Sequence, residues 1–263
     1  MAALLTALSR APIRIGYEDA TTAEHLRFNR GFHRAFTHVL PAGPLQHEAL
    51  RSAALAEPLG CTCQVPRPRL IPRVRVPIEV DHIRRMNPGH PVLAIGLPSG
   101  AAWRRWPASS YIAAIERIRQ ERTVPVVLLS DRNTLQEAED IVSAIPDAVH
   151  LPALGLEEVA AALTVCDVYL GSDTGIGHMA AAIGCAMVTL TPHPEDGDPT
   201  HTISPIRFRP FADNAIVLRP AHGRPGCEAC CTAQEPHCIL DIAPEKAANA
   251  VLTILNQGRS DRE

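Results

Sequence analysis

The sequence predicts an α/β protein built on a doubly wound parallel sheet. Three observations carry this. From Val92 onward, short apolar runs alternate with stretches of helical periodicity, as strands joined by crossover helices do. The runs are apolar throughout, as in strands covered on both faces. And the run DVYL passes through small residues directly into an Ala-rich helical stretch.

The predicted strands are Val92–Leu97, Val124–Leu129, Val149–Leu151, Asp167–Gly171 and Ala186–Leu190, bounded by Pro, Gly and Asp. Between them, Ser109–Glu121 places Ile112, Ile115 and Ile118 on one stripe. The helices Leu135–Ala144, Leu156–Val165 and Ile176–Ile183 follow. Pro244 suits a first helical position, and Ala247, Val251, Leu252 and Leu255 then line one face of a last helix. Upstream, residues 66–77 read PRPRLIPRVRVP. Prolines at 66, 68, 72 and 77 prevent helix and interrupt ladders, so this is an extended connector. The segment before it holds two helices and one short strand, Ile13–Tyr17, too little for an independent domain. The expected organisation is residues 1–77 as an amino-terminal segment with connector, and 88–257 as a Rossmann-like domain.

Composition narrows the function. Of 263 residues, 46% are hydrophobic and 20% charged, which excludes wholesale disorder. A net charge of -3 and a pI near 6.5 give no general attraction to nucleic acid or anionic membrane. Lys246 is the only lysine. No apolar run approaches the roughly 20 residues of a membrane helix. The start, MAALLTALSRAP, has no basic residue before its apolar stretch and reads as a helix fragment. With no export signal and no disulfide-like cysteine spacing, the expected location is the cytoplasm.

Two segments point to a phosphate-bearing ligand. In Gly171–Gly184, GSDTGIGHMAAAIG, the turn after a strand exposes the first free N–H groups of a helix, an anion site. Asp173 or Thr174 is placed to cap that helix. Gly175 and Gly177 permit close approach. The plainer alternative is a tight turn with an ordinary cap. In Leu97–Pro107, LPSGAAWRRWP, Ser99 and Gly100 form a turn, and Arg104 and Arg105 lie between Trp103 and Trp106. An Arg fork there suits two phosphate oxygens at once; the alternative is a surface Arg pair flanked by packing Trp residues. Both segments follow strands of one sheet, the edge where open α/β sheets bind ligands. Asp173-Thr174-Gly175 also matches the aspartic-protease triplet, but those enzymes need two triplets in a β-rich fold.

A third segment, CEACCTAQEPHC, carries Cys227, Cys230, Cys231 and Cys238. Cys227-x2-Cys230 with Cys238 is half a metal site by spacing. His237 is adjacent and His222 lies five residues upstream. The segment reads as a loop with structural thiols and no assigned metal; a metal site and a redox role are the alternatives.

In order, these features resemble glycosyltransferase family 9, the ADP-heptose:lipopolysaccharide heptosyltransferases and their relatives. LPSGAAWRRWP is similar to the family's small-residue turn followed by a basic residue and WP. Leu154-Gly155-Leu156 followed by EEVAAALTVCDVYLGSDTGIGHMAAAIG resembles its central signature. The cysteine group followed by Ile242-Ala243-Pro244-Glu245 resembles its carboxyl-terminal end, and Arg14-Ile15-Gly16-Tyr17 the end of its first domain. The resemblance implies the GT-B fold, with a complete Rossmann-like carboxyl-terminal domain and a partial amino-terminal one. It implies transfer of a sugar from a nucleotide donor, ADP-heptose in the first place, to a lipopolysaccharide-core or related acceptor, with no other cofactor. Ser99 and Arg104 would contact the diphosphate. Thr174 and Gly175 would offer it N–H groups, Asp173 would hold sugar hydroxyls, His178 would complete the loop, and Leu154 would lie against adenine or ribose. Implied partners are the nucleotide sugar, a glycan acceptor and, transiently, the inner-membrane surface; nucleic acid is not among them. Three departures follow. The family's general-base aspartate aligns before Met1, so no residue here is assigned a catalytic role, and slow or absent transfer by this chain alone is expected. Arg104 stands where lysine is common in the family. The family's nucleoside-binding acid has only Asp131 or Glu137 as substitutes. The alternative function is a nucleotide-sugar-binding module, or a truncated or split subunit without independent turnover.

Overall fold

The computed structural model describes residues 2–18, 31–41, 43–62, 67–97, 100–201 and 203–260. The chain divides into two compact units. One comprises Met1–Pro66 with Asp198–Phe208; the other comprises Arg67–Gly197 with Arg209–Glu263.

In the first unit, helix α1 is Ala2–Leu8, and strand β1, Ile15–Tyr17, pairs in parallel with β2, His38–Leu40. Helix α2, Glu48–Ala54, starts at His47, whose Nδ1 accepts from the Ala49 N–H at 3.1 Å. Tyr17 carries the Arg51 guanidinium 4.0 Å above its ring. Residues 198–208 belong to this unit for a specific reason. The buried Arg207, on the single helical turn Pro205–Phe208, donates from Nε and Nη2 to Glu48 at 3.0 and 2.8 Å. A charge this buried persists only when paired.

In the second unit, α3 (Ile78–Met86) precedes a six-stranded sheet. Its strands are β3 (Leu93–Gly96), β4 (Val126–Ser130), β5 (Val149–Pro152), β6 (Val168–Ser172), β7 (Ala186–Leu190) and β8 (Ala215–Leu218). The helices between them are α4 (Ala108–Glu121), α5 (Leu135–Ala144), α6 (Leu156–Leu163) and α7 (Gly175–Ile183), and α8 (Pro244–Ser260) closes the chain. All pairings are parallel and the order is β5-β4-β3-β6-β7-β8. Each predicted strand after Val92 is present, within two residues of its expected limits.

Side-chain alternation accounts for both buried faces. Leu93, Ile95, Val126, Leu128, Val168 and Leu170 point into one cluster, shared with α4, α5 and α8. Ala94, Val127, Leu129, Tyr169 and Met187 point into the other, shared with α3, α6 and α7. With a period of two, a strand buried on both faces has no polar position to show. No helix among the described residues is long and apolar enough to cross a membrane.

Tyr169 is fully buried and its ring runs beneath both Gly96 and Gly171. A Cβ on Gly171 would stand 2.5 Å from the Tyr169 hydroxyl and 2.7 Å from the Gly96 carbonyl oxygen. One of these is backbone inside a ladder and has no room to yield. Gly171→Ala is therefore expected to cost about 1–3 kcal/mol, as overpacking does. In urea this appears as a lower midpoint at an unchanged slope; an unmoved midpoint would refute the packing argument.

Candidate functional site

The chain runs from β3 to β4 to β5 in one direction, then crosses back to add β6, β7 and β8 on the other side of β3. The direction reverses between β3 and β6, where Gly96 pairs with Gly171. Ligands of open α/β sheets bind outside the carboxyl ends of the strands at such a point. The loops that leave β3 and β6 there are the two phosphate-competent segments of the sequence.

Hydrogen bonds tie these loops together. The Ser172 hydroxyl, at the end of β6, donates to the Arg104 carbonyl at 2.7 Å. Arg104 Nη1 lies 3.5 Å from the Asp173 carbonyl oxygen. The β3 loop is anchored by buried Trp106, whose Nε1 donates to the Ile242 carbonyl at 3.1 Å and whose ring meets Tyr111 edge-on at 4.8 Å. Burial pushes the Tyr111 hydroxyl far above its ordinary range, so it stays neutral beneath Ser172. The two arginines separate. Arg105 pairs with Glu137 at 3.5 Å. Arg104 has no carboxylate partner among the described residues; its guanidinium sits 4.8 Å from the centroid of the Trp103 ring. The Nε of each arginine is buried without a hydrogen bond, a condition rare in native interiors.

The start of α7 is open. Thr174 is the residue before the helix, in extended conformation (φ -143°, ψ 171°), and its side chain makes no cap. Nor does Asp173 cap it; the Asp173 carboxylate lies 3.5 Å from His178 Nε2, one turn along α7. The first N–H groups of the helix thus carry no side-chain oxygen, contrary to the expected cap. The two loop glycines differ in role. A Cβ on Gly175 would meet nothing within 4 Å, whereas one on Gly177 would meet the Ser172 carbonyl and the Tyr169 ring at 3.5 Å. Gly177 faces the interior and Gly175 faces open space.

The remaining sequence-derived residues lie elsewhere. Ser99 is outside the described residues. Leu154 follows the edge strand β5, two strands from β3, and packs half-buried against the cluster of Leu151 and Val159. Before it, Ala153 takes a left-handed φ of 50°, a conformation that costs a non-glycine residue roughly 1–2 kcal/mol. Asp131 and Glu137 already have partners. Asp131 Oδ1 accepts from the Asn133 N–H at 3.0 Å and the Thr134 hydroxyl at 2.9 Å, and Glu137 holds Arg105. Sequence reasoning did not single out Ser172 or Tyr111. Their signal was available only as positions after and beneath the strand ends, not as residue types. A groove lined by Arg84, His90, Asp167 and Gly184 opens at the amino-terminal edge of the sheet, away from these loops.

The family model for glycosyltransferase family 9 (heptosyltransferase) matches residues 1–235. No curated protein sequence matches the chain. Among solved structures, ADP-heptose lps heptosyltransferase II from E. coli is 18% identical with a TM-score of 0.64, covering 98% of this chain and 74% of its own. A family 9 glycosyl transferase from Veillonella parvula is 17% identical with a TM-score of 0.70, covering 97% and 70%. The E. coli heptosyltransferase WaaC with ADP-2-deoxy-2-fluoro heptose is 16% identical with a TM-score of 0.59, covering 97% and 69%. At such identities the structures speak for a shared fold, the GT-B glycosyltransferase type; the family match speaks for descent. The chain belongs to glycosyltransferase family 9, the heptosyltransferases.

Proposed function

We propose that this chain binds a nucleotide sugar, ADP-heptose, at the β3–β6 switch point and serves its transfer to a lipopolysaccharide-core or related glycan acceptor. The observation that carries the reading is the uncapped start of α7, with open space above Gly175 and the Arg104 guanidinium tethered beside it. In this reading the N–H groups from Gly175 onward and the Arg104 fork hold the diphosphate. Asp173, braced by His178, accepts from donor hydroxyls. Ser99 completes the phosphate turn, and Leu154 offers an apolar surface to the nucleoside. As the bond to the anomeric carbon breaks, the leaving diphosphate gains negative charge. Fixed donors aimed at that charge stabilise the transition state more than the ground state. The helix dipole contributes about 0.3–1 kcal/mol, near 2 when partly buried.

The test is calorimetry with ADP, ADP-heptose and UDP, followed by a transfer assay with a lipopolysaccharide-core acceptor. Binding of both ADP ligands in preference to UDP, with heptose appearing on the acceptor, is the expected result. Tight binding without transfer would favour a donor-binding module. Absence of ADP binding would remove the proposal.

A further inference from the structure

The cysteine loop folds into a cage the sequence spacing does not announce. Cys227, Cys231, His237 and Cys238 each turn one ligand atom to a common centre, all four atoms lying within 4.8 Å of one another. The Cys227-x2-Cys230 pair is not the one used. Cys230 turns away, its thiol 3.5 Å from the Cys231 carbonyl oxygen, and Cys231 takes the position instead.

Four features of this cage point to a metal ion. First, the S···N distances fit, and the sulfur atoms, up to 4.8 Å apart, need close by no more than about 1 Å to reach the S···S edge of about 3.8 Å set by tetrahedral Zn–S bonds. His237 Nδ1 lies 3.7 Å from Cys227 Sγ, 4.0 Å from Cys231 Sγ and 3.4 Å from Cys238 Sγ. A tetrahedral zinc with Zn–S near 2.3 Å and Zn–N near 2.0–2.1 Å requires S···N edges of about 3.6 Å. Second, the three cysteines are free thiols despite their proximity. Third, they are buried, Cys238 completely, in a small cluster of their own with Trp103 and Ala233 against it. Three thiols and an imidazole are a poor apolar core, but a complete ligand set. Fourth, the Thr232 N–H donates to Cys227 Sγ at 3.4 Å, an interaction that favours the charged, ligating form of sulfur. The fold holds the cage open. A Cβ on Gly223 would strike the Cys227 carbonyl at 2.2 Å, and Gly226 takes a left-handed φ of 83° just before the first ligand.

We propose that Cys227, Cys231, His237 and Cys238 bind one Zn²⁺ as a closed, tetrahedral structural site that fixes the loop behind Trp103. On binding, three thiols release their protons to solvent and form three S–Zn bonds, while neutral His237 gives its Nδ1 lone pair. The site then carries one net negative charge. Arg224, three residues before Cys227, is held by Asp241 through hydrogen bonds of 2.9 and 2.7 Å, which braces the start of the loop. No coordination position is left for substrate, so the ion's work is architectural. It ties residues 227–238 into one unit against Trp103, whose ring carries the Arg104 guanidinium. The proposal stands whether or not the ligand at the sheet edge is ADP-heptose.

The test uses the full chain, purified with reductant, stripped with chelator and titrated with Zn²⁺ or Co²⁺. One equivalent of Zn²⁺ per chain is expected. Co²⁺ is expected to show thiolate charge-transfer absorption and the intense visible bands of a tetrahedral site. Tryptophan fluorescence is expected to shift on binding, since one of only two tryptophans, Trp103, packs on the cage. Cys227→Ser and Cys238→Ser should weaken binding by more than the roughly 10–100-fold typical of an outer-shell partner, and Cys230→Ser should leave it unchanged. Should either ligand variant fail to fold, the cobalt spectrum of the native chain still decides. No stoichiometric Zn²⁺, a cobalt spectrum without thiolate bands, a Cys227–Cys231 disulfide in the reduced preparation, or an equal loss in Cys230→Ser would overturn it.

Discussion

The Gly175→Val chain is expected to keep its fold and lose at least about 100-fold in ADP affinity, roughly 2.7 kcal/mol. The fold should survive because a Cβ at this position meets no atom within 4 Å, and the backbone there is not left-handed. A β-branched residue in a first helical turn costs under about 1 kcal/mol in propensity. Binding should fail because the added methyls occupy the space from which an anion reaches the open N–H groups of α7. Phosphate bound there must approach to hydrogen-bond distance, near 2.9 Å, and no valine leaves that room. The natural control is Gly177→Ala, two residues on, where the new Cβ makes ordinary contacts with Ser172 and Tyr169 inside the fold. Calorimetry should find Gly177→Ala binding ADP as the native chain does. Undiminished affinity in a folded Gly175→Val chain would move the phosphates away from this helix.

The contrast between those glycines marks what was and was not legible in the sequence. GSDTGIG announces a strand-to-helix turn, but which glycine faces outward depends on where Tyr169 lies. That is decided by strand pairing and not by local pattern. The five predicted strands of the larger sheet were legible because each is an apolar run between breakers. Strand β8 was not, since Ala215–Leu218 is a four-residue run with no helix pattern leading into it. Strand β2 escaped for a similar reason, as His38–Leu40 is three residues, two exposed and one half-buried. Helix α3 carried a readable signal that went unused. It has Glu79 and Asp81 in its first turn, Arg84 and Arg85 in its last, and buried Val80 and Ile83 on one face, as the helix dipole and periodicity prefer. The Pro-rich run directly before it, ending at Pro77, masks that signal. The metal cage was half legible. Counting found the cysteines, but the choice of Cys231 over Cys230 rests on backbone turns that spacing alone does not encode.

Arg104→Ala is expected to weaken ADP binding by about 10–150-fold, the equivalent of the roughly 1.5–3 kcal/mol of charge-assisted hydrogen bonds, while adenosine binding changes little. The two arginines differ in their partners. Arg105 is already committed to Glu137. Arg104 lies over Trp103 and reaches toward the Asp173 carbonyl, with no carboxylate partner among the described residues. Its carbonyl is bound by Ser172, so truncating the side chain leaves the loop's backbone tether in place. The loss should therefore reflect the guanidinium and not a displaced loop. Raising salt should narrow the gap between native and variant chains only modestly, because a half-buried charge is screened less than an exposed one. Arg104→Lys separates charge from geometry. A lysine keeps the positive charge but not the planar fork that meets two oxygens at once, so its affinity should fall between those of the native chain and Arg104→Ala. Equal weakening of ADP and adenosine in Arg104→Ala would show that the residue supports the loop without touching phosphate. An Arg104→Lys chain no better than Arg104→Ala would show that charge at this position counts for nothing without the fork.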